Sequence, residues 1–145
     1  MVNKTIISRF TGDLPLDEGV CRKIAGGPLY PVDEVLALLT KSGAQAVQAW
    51  TKKCQYDMQK WSLDTDDLCD LMGIAVRLGR FRGAEWCVQR PNGPWAACDA
   101  YSLVRRERIG RAQREVDLEY YIKFAIAKTG KRLLVVSCHP QEDRR

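Results

Sequence analysis

An α+β fold, with N-terminal helices packed on a C-terminal antiparallel β-meander, is what the sequence predicts, and three observations predict it. Capped segments with a helical apolar period fill residues 31–78. After Gly79 the period changes from that of a helix to that of a strand. Turn signals, RPNGP and KTG, then separate the alternating runs, the pattern of strands joined by hairpins.

The chain has 145 residues, the size of one domain and enough to bury a core without staples. We therefore read 1–145 as a single domain: an N-terminal extension over 1–30, a helical part over 31–78, an antiparallel sheet over 79–139 and a tail over 140–145. With 46% hydrophobic and 28% charged residues the composition excludes a disordered or fibrous chain. The formal charge of +5 points to an anionic partner, though ordinary surfaces carry as much. No run of about 18 apolar residues is present, and MVNKTIISRF lacks a secretory h-region, so the expectation is a cytoplasmic protein with no membrane partner. The six cysteines, Cys21, Cys54, Cys69, Cys87, Cys98 and Cys138, have no paired metal-ligand spacing; buried free thiols are expected, and neither a metal nor a cofactor.

The extension holds a short β-favouring run, KTIIS, before a Gly-, Asp- and Pro-rich stretch. The first helix is signalled by Pro31 at its start, Asp33 and Glu34 in its first turn and Gly43 past its end, with Val32, Val35, Leu36 and Leu39 as its stripe. A second opens at Thr51 as N-cap, Trp50, Cys54, Met58 and Trp61 recurring every three or four residues. A third opens at Asp64, with Asp66 and Asp67 at the positive end of its dipole and Leu68, Leu71, Met72, Ala75 and Leu78 as its buried face. GAEWCVQR and PWAACDAYSLV form a hairpin through Asn92 and Gly93. The segment RRERIGRAQREVD, five arginines between 105 and 114, reads as a loop or short helix joining strands. It serves equally well as a phosphate-facing flap, through Arg105, Arg106 and Arg108, or as a solvated charged connection.

The last hairpin carries the chemistry. In EYYIKFAIA the even positions Tyr120, Ile122, Phe124 and Ile126 are the larger apolar set, so Tyr121 and Lys123 point together to the other face. A three-residue loop, Lys128, Thr129 and Gly130, requires positive φ of the glycine alone. It sets 121 opposite 137 and 119 opposite 139, so that Tyr121, Lys123, Ser137 and His139, the single histidine, share one face. One residue more or less in that loop would send His139 to the opposite side.

The order of LDTDDLCDLMGIAVRLGRF, WAACDAYSLV, EYYIKFAI and LLVVSCHP resembles the MqsR (motility quorum-sensing regulator) family of toxins, over roughly residues 31–139. That resemblance implies a RelE/MqsR-like fold and the endoribonuclease half of a type II toxin–antitoxin pair, a messenger RNA interferase with RNA and a cognate antitoxin as partners. It implies that Tyr121 and Lys123 match the family's Y-x-K strand and that His139 stands where a basic residue follows its final strand. Asp99 and Tyr101 match a D-x-Y segment, which implies that they contact RNA, and Trp95 matches the tryptophan before it. Cys98 departs from the family's glutamine and Cys138 from its aromatic; Arg80 and Arg82 lie near, without cleanly matching, a family lysine.

Metal-independent RNA cleavage uses the 2′-hydroxyl as nucleophile and needs an acid/base pair and a cation. Histidine is the side chain suited to proton transfer near neutrality, which makes His139 the acid/base candidate; Lys123 with Arg80 or Arg82 supplies charge, and Tyr121 a proton or a stacking surface. Trp86 and Trp95 are stacking platforms for RNA or, as is more usual, sheet packing. The alternative from another class is a non-catalytic regulator or inhibitor that binds nucleic acid or protein on the same scaffold. A thiol enzyme pairing Cys138 with His139 is disfavoured, because neighbouring strand residues point to opposite faces.

Overall fold

The computed structural model describes residues 4–18 and 22–141. Cys21 and residues 142–145 of the expected tail lie outside them. The elements run β1 (Lys23–Ile24), α1 (Val32–Ser42), a 3-10 turn (Gly43–Ala46), β2 (Val47–Ala49), α2 (Lys52–Lys60), α3 (Thr65–Leu78), β3 (Arg80–Val88), β4 (Trp95–Ile109), β5 (Arg114–Ile126) and β6 (Leu133–Pro140). The fold is α+β, with one six-stranded sheet in the order β1-β3-β4-β5-β6-β2. From β3 to β6 it is the expected antiparallel meander. Its edges come from segments where no strand was expected: β1 lies antiparallel to β3, and β2 parallel to β6.

The helices start and stop where their caps dictate. Gly43, at φ 53°, ends α1. Thr51 caps α2 by accepting from the Cys54 N–H. Asp64 and Asp67 form a reciprocal capping box at α3. The face of α3 departs from expectation at its end: Leu78 is 80% exposed, and Val76 is buried instead. Val35, Cys54, Leu68, Leu71, Met72 and Ala75 from the helices meet Tyr120, Ile122, Phe124 and Cys138 from the strands in one core. Of the cysteines, Cys54, Cys69, Cys87, Cys98 and Cys138 are free thiols, all buried except the half-buried Cys69.

The arginine-rich segment corrects a second expectation. It is neither loop nor helix: β4 and β5 continue as a two-stranded ribbon, paired from Arg105 opposite Leu118 to Ile109 opposite Arg114, and turn only at 110–113. Gly110, at φ 74°, and Gln113, at φ 53°, supply the left-handed positions of that turn. With no core over much of its length the ribbon carries no apolar alternation to announce it.

Residues 5–9 do more than extend the chain. Below Asp99 and Phe124, β4 and β5 part, and this segment runs between them. Trp95 N–H donates to Thr5 and Ile7 N–H to Trp95, while on the other side Arg9 N–H donates to Ile126 and Lys128 N–H to Ile7. Ser8, fully buried, accepts from Ala97 N–H and donates to the Phe10 carbonyl. Ile6, Phe10, Leu14 and Leu29 close over Trp86 and Trp95, which are 4% and 2% exposed. Both tryptophans are therefore packing residues rather than stacking platforms.

Candidate functional site

The hairpin between β5 and β6 is built differently from expectation yet arrives at the same face. Ala127 N–H donates to Arg132, so the loop holds four residues, 128–131, with Gly130 at φ 75° as its left-handed member. That extra residue alone would reverse the parity of β6 and bury His139. A bulge at Val136 reverses it again, since Phe124 pairs with Val135 whereas Lys123 pairs with Ser137. The result is Tyr121 opposite His139 and Lys123 opposite Ser137, in place of 121 opposite 137. The Val136 carbonyl accepts from the Thr51 hydroxyl at 2.5 Å, so the residue that caps α2 also holds the bulge.

Two cross-strand rows follow from the ladder. Arg80, Ser102, Tyr121 and His139 form one; Gly83, Ala100, Lys123 and Ser137 form the next. The His139 and Tyr121 rings stack with centroids 5.7 Å apart and planes 28° apart. The Lys123 ammonium lies 5.8 Å from the Tyr121 centroid, so the tyrosine has a cation and an imidazole as neighbours. Gly83 and Ala100 leave a shallow trough, and Lys123 lies across it to pair with Glu85 on β3. Burial works against the charged form of Lys123. Cys87, Glu85 and Tyr121 outweigh it and hold the ammonium above the ordinary lysine pKa. Glu85 was not singled out in the sequence; its place opposite Cys98, two strands from Lys123, is a consequence of register.

A cleft of about 320 Å³ opens on this face between Lys23, Arg82, Gly83, Glu85, Ala100 and Tyr121. Arg82 is the bulged residue between Phe81 and Gly83, and it is exposed. Arg80 is exposed at the end of the Tyr121 row. The face thus offers guanidinium, ammonium, imidazole, phenol and hydroxyl groups together. That set suits a polyanion whose phosphates need cations and whose chemistry needs a proton carrier.

The other expected binding residues lie elsewhere. Asp99 is fully buried, accepting from Leu29 N–H at 2.9 and 3.0 Å and from Tyr30 N–H at 3.1 Å. Burial raises its pKa, against the pull of those two backbone donors. Tyr101, 4% exposed, stacks on Phe124 with centroids 6.0 Å apart; burial, and then Asp99, push its phenol up to about 12. Neither side chain can reach RNA in this structure, and the binding role expected of them is corrected to a structural one. Their signal in the sequence was misleading because the partner of Asp99, residues 29–30, is some 70 positions away.

Arg105 is enclosed by Asp67 at 3.1 Å, Asp70 at 3.3 Å and Glu107 at 2.7 Å, with its guanidinium over the Tyr120 ring. It ties the ribbon to α3 rather than facing solvent. Arg106 pairs with Glu115 and Asp117, and Arg108 with Glu115, all of them exposed. Cys138 is fully buried opposite Ile122, its backbone N–H given to Asp57 and its thiol pKa raised by burial. A buried thiol of this kind is no nucleophile for His139.

Comparison of the chain with protein-family models, curated proteins and solved structures found no match. Among the described residues no helix is long and apolar enough to cross a membrane.

Proposed function

We propose that the protein is a metal-independent endoribonuclease of the MqsR kind, the toxin of a type II toxin–antitoxin pair acting on messenger RNA in the cytoplasm. The observation that supports the reading is the His139–Tyr121 stack, in one row with Ser102 and Arg80 and beside the Lys123 ammonium. In this reading His139 exchanges a proton with the 2′-hydroxyl or the leaving 5′-oxygen. Lys123 and Arg80 face the non-bridging oxygens as negative charge builds on the phosphorane, and the Tyr121 hydroxyl donates to it. A cleft edged by Tyr121 suits single-stranded RNA, whose unstacked bases are open to aromatic contact. The Lys123–Glu85 pair favours the second reading, a non-catalytic nucleic-acid- or protein-binding regulator, because it neutralises the cation that catalysis needs.

The test is cleavage of a synthetic single-stranded RNA in EDTA by the wild type and by His139→Ala, with a matching strand carrying 2′-deoxyribose throughout. The ribonuclease reading expects cutting of the RNA alone, and a loss of roughly 10²–10⁴-fold in the variant. Induced expression should arrest bacterial growth with the wild type only. Intact RNA that the wild type nevertheless retards in a gel would establish the second reading in its place.

A further inference from the structure

Beyond Ser102 the outer side of β4 has no strand partner among the described residues. β3 joins the ladder with Arg80 opposite Ser102, and among the described residues Leu103–Ile109 pair with β5 alone. Seven residues at about 3.4 Å each leave an open strand edge roughly 24 Å long. Gly79 lies so close to β4 that a Cβ there would stand 2.6 Å from the Ser102 carbonyl and 2.5 Å from that of Ala75. The chain before it is already α3, so among the described residues the edge beyond Ser102 is left without a strand partner.

A groove of about 810 Å³ adjoins this edge, lined by Ile74, Leu78, Arg80, Arg82, Val104 and Glu119 among others. Leu78 is 80% exposed and Val104 52%, unusual for aliphatic side chains so close together on one surface. Arg80 and Arg82 are exposed and make no ion pair with a described residue. Tyr121, Lys123 and His139 take no part in its lining.

Three features identify the occupant. An open strand edge presents N–H and C=O groups in alternation; another extended chain answers both, whereas a phosphate backbone offers acceptors only. Leu78 and Val104 call for aliphatic contact, which a nucleic-acid backbone does not supply. A second copy of this chain is ill-suited. Antiparallel self-pairing centred on Arg106 would set Arg106 against Arg106 and Val104 against Arg108, within a stretch of three arginines and one glutamate over 105–108. Glu115 and Asp117 already offset part of the charge of Arg106 and Arg108, and the groove itself holds two guanidiniums, Arg80 and Arg82, against one carboxylate, Glu119, so the preference for acidic residues comes chiefly from that pair.

We propose that the Leu103–Ile109 edge of β4 takes up an extended segment of a partner protein as an added strand, with aliphatic side chains over Leu78 and Val104 and acidic ones toward Arg80 and Arg82. The surface shares Arg80 and Arg82 with the face assigned to RNA, and has Leu78, Val104 and the 103–109 edge to itself.

The probe is a fluorescent synthetic peptide of alternating glutamate and valine, roughly ten residues long to match the edge, with an alternating lysine–valine peptide as control. The acidic peptide should bind the full-length protein, the lysine peptide at least about 10-fold more weakly. Leu78→Asp and Val104→Asp, at exposed positions that leave the core intact, should each weaken binding by a similar factor. Amide hydrogen exchange should slow within 103–109 and not on β1 or β2. Failure of the acidic peptide to bind at millimolar concentration, insensitivity to both substitutions, or protection elsewhere overturns the proposal. So does a dimer in sedimentation that protects the same amides.

Discussion

The His139 imidazole lies on the Tyr121 ring at 5.7 Å, and the contact exists because two irregularities cancel. A four-residue loop shifts β6 by one position, and the Val136 bulge shifts it back. Neither alone would leave the histidine on the exposed face. Thr51, which accepts from Cys54 N–H and donates to Val136, connects that compensation to the start of α2.

Thr51→Val should therefore cost about 1–3 kcal/mol, from the lost cap and from a bulge carbonyl left without its donor. Thr51→Ser keeps the hydroxyl and should stay within about 1 kcal/mol of the wild type. Urea unfolding measures both. If the valine variant matches the serine one, Thr51 does not hold the bulge.

Lys123 and Glu85 compete with phosphate for each other. Glu85→Gln frees the ammonium and should raise affinity for a single-stranded RNA several-fold. Lys123→Met should lower affinity and reduce the slope of log K against log salt by about 0.7, one single-strand contact's worth. Titrations at a series of salt concentrations read both. Weaker binding by Glu85→Gln would mean that the carboxylate positions the cation instead of masking it.

What was legible in the sequence, and what was not, divides along the range of the interactions involved. Gly43, Thr51, Asp64 and Asp67 act within a turn of helix, and each was readable because its partner is three or four residues away. The shared face of Tyr121 and Lys123 followed from alternation, which is equally local. The pairing of Tyr121 with His139 was expected to be offset by two residues. A bulge held by a distant threonine leaves no mark in the hairpin's own sequence. Asp99 was a binding candidate through its D-x-Y resemblance alone, and the residues that hold it, Leu29 and Tyr30, are equally distant in the chain. Ser8, buried between two parting strands, had no signal beyond a β-favouring pentapeptide.

Asp99→Asn tests that structural role. The carboxylate faces two backbone donors with acceptors only; an amide would turn its NH₂ toward one of them, leaving a buried N–H unpaired. A loss of about 1–3 kcal/mol is expected, with RNA affinity of the folded protein unchanged. Thermal unfolding and an RNA titration on the same sample separate the two effects. A variant of wild-type stability and weaker RNA binding would restore Asp99 to the binding surface.

Arg105 and its carboxylates give the acid limb of stability. Burial acts to raise the Asp67 pKa, but the Asp64 N–H and the Arg105 guanidinium outweigh it and leave it below the ordinary aspartate value. A carboxyl whose folded pKa is depressed contributes stability above its unfolded value, about 3.9, and loses it as pH falls through the folded one. Arg105→Ala should thus be destabilised by about 1–3 kcal/mol near neutrality, where three carboxylates lose their cation, and the deficit should shrink below about pH 4 as Asp67 protonates. Urea unfolding from pH 3 to 7 measures it. Since Arg105 is held on α3 rather than offered to solvent, the folded variant should bind RNA as the wild type does; a deficit independent of pH, or a selective loss of RNA affinity, would place Arg105 on the binding face after all.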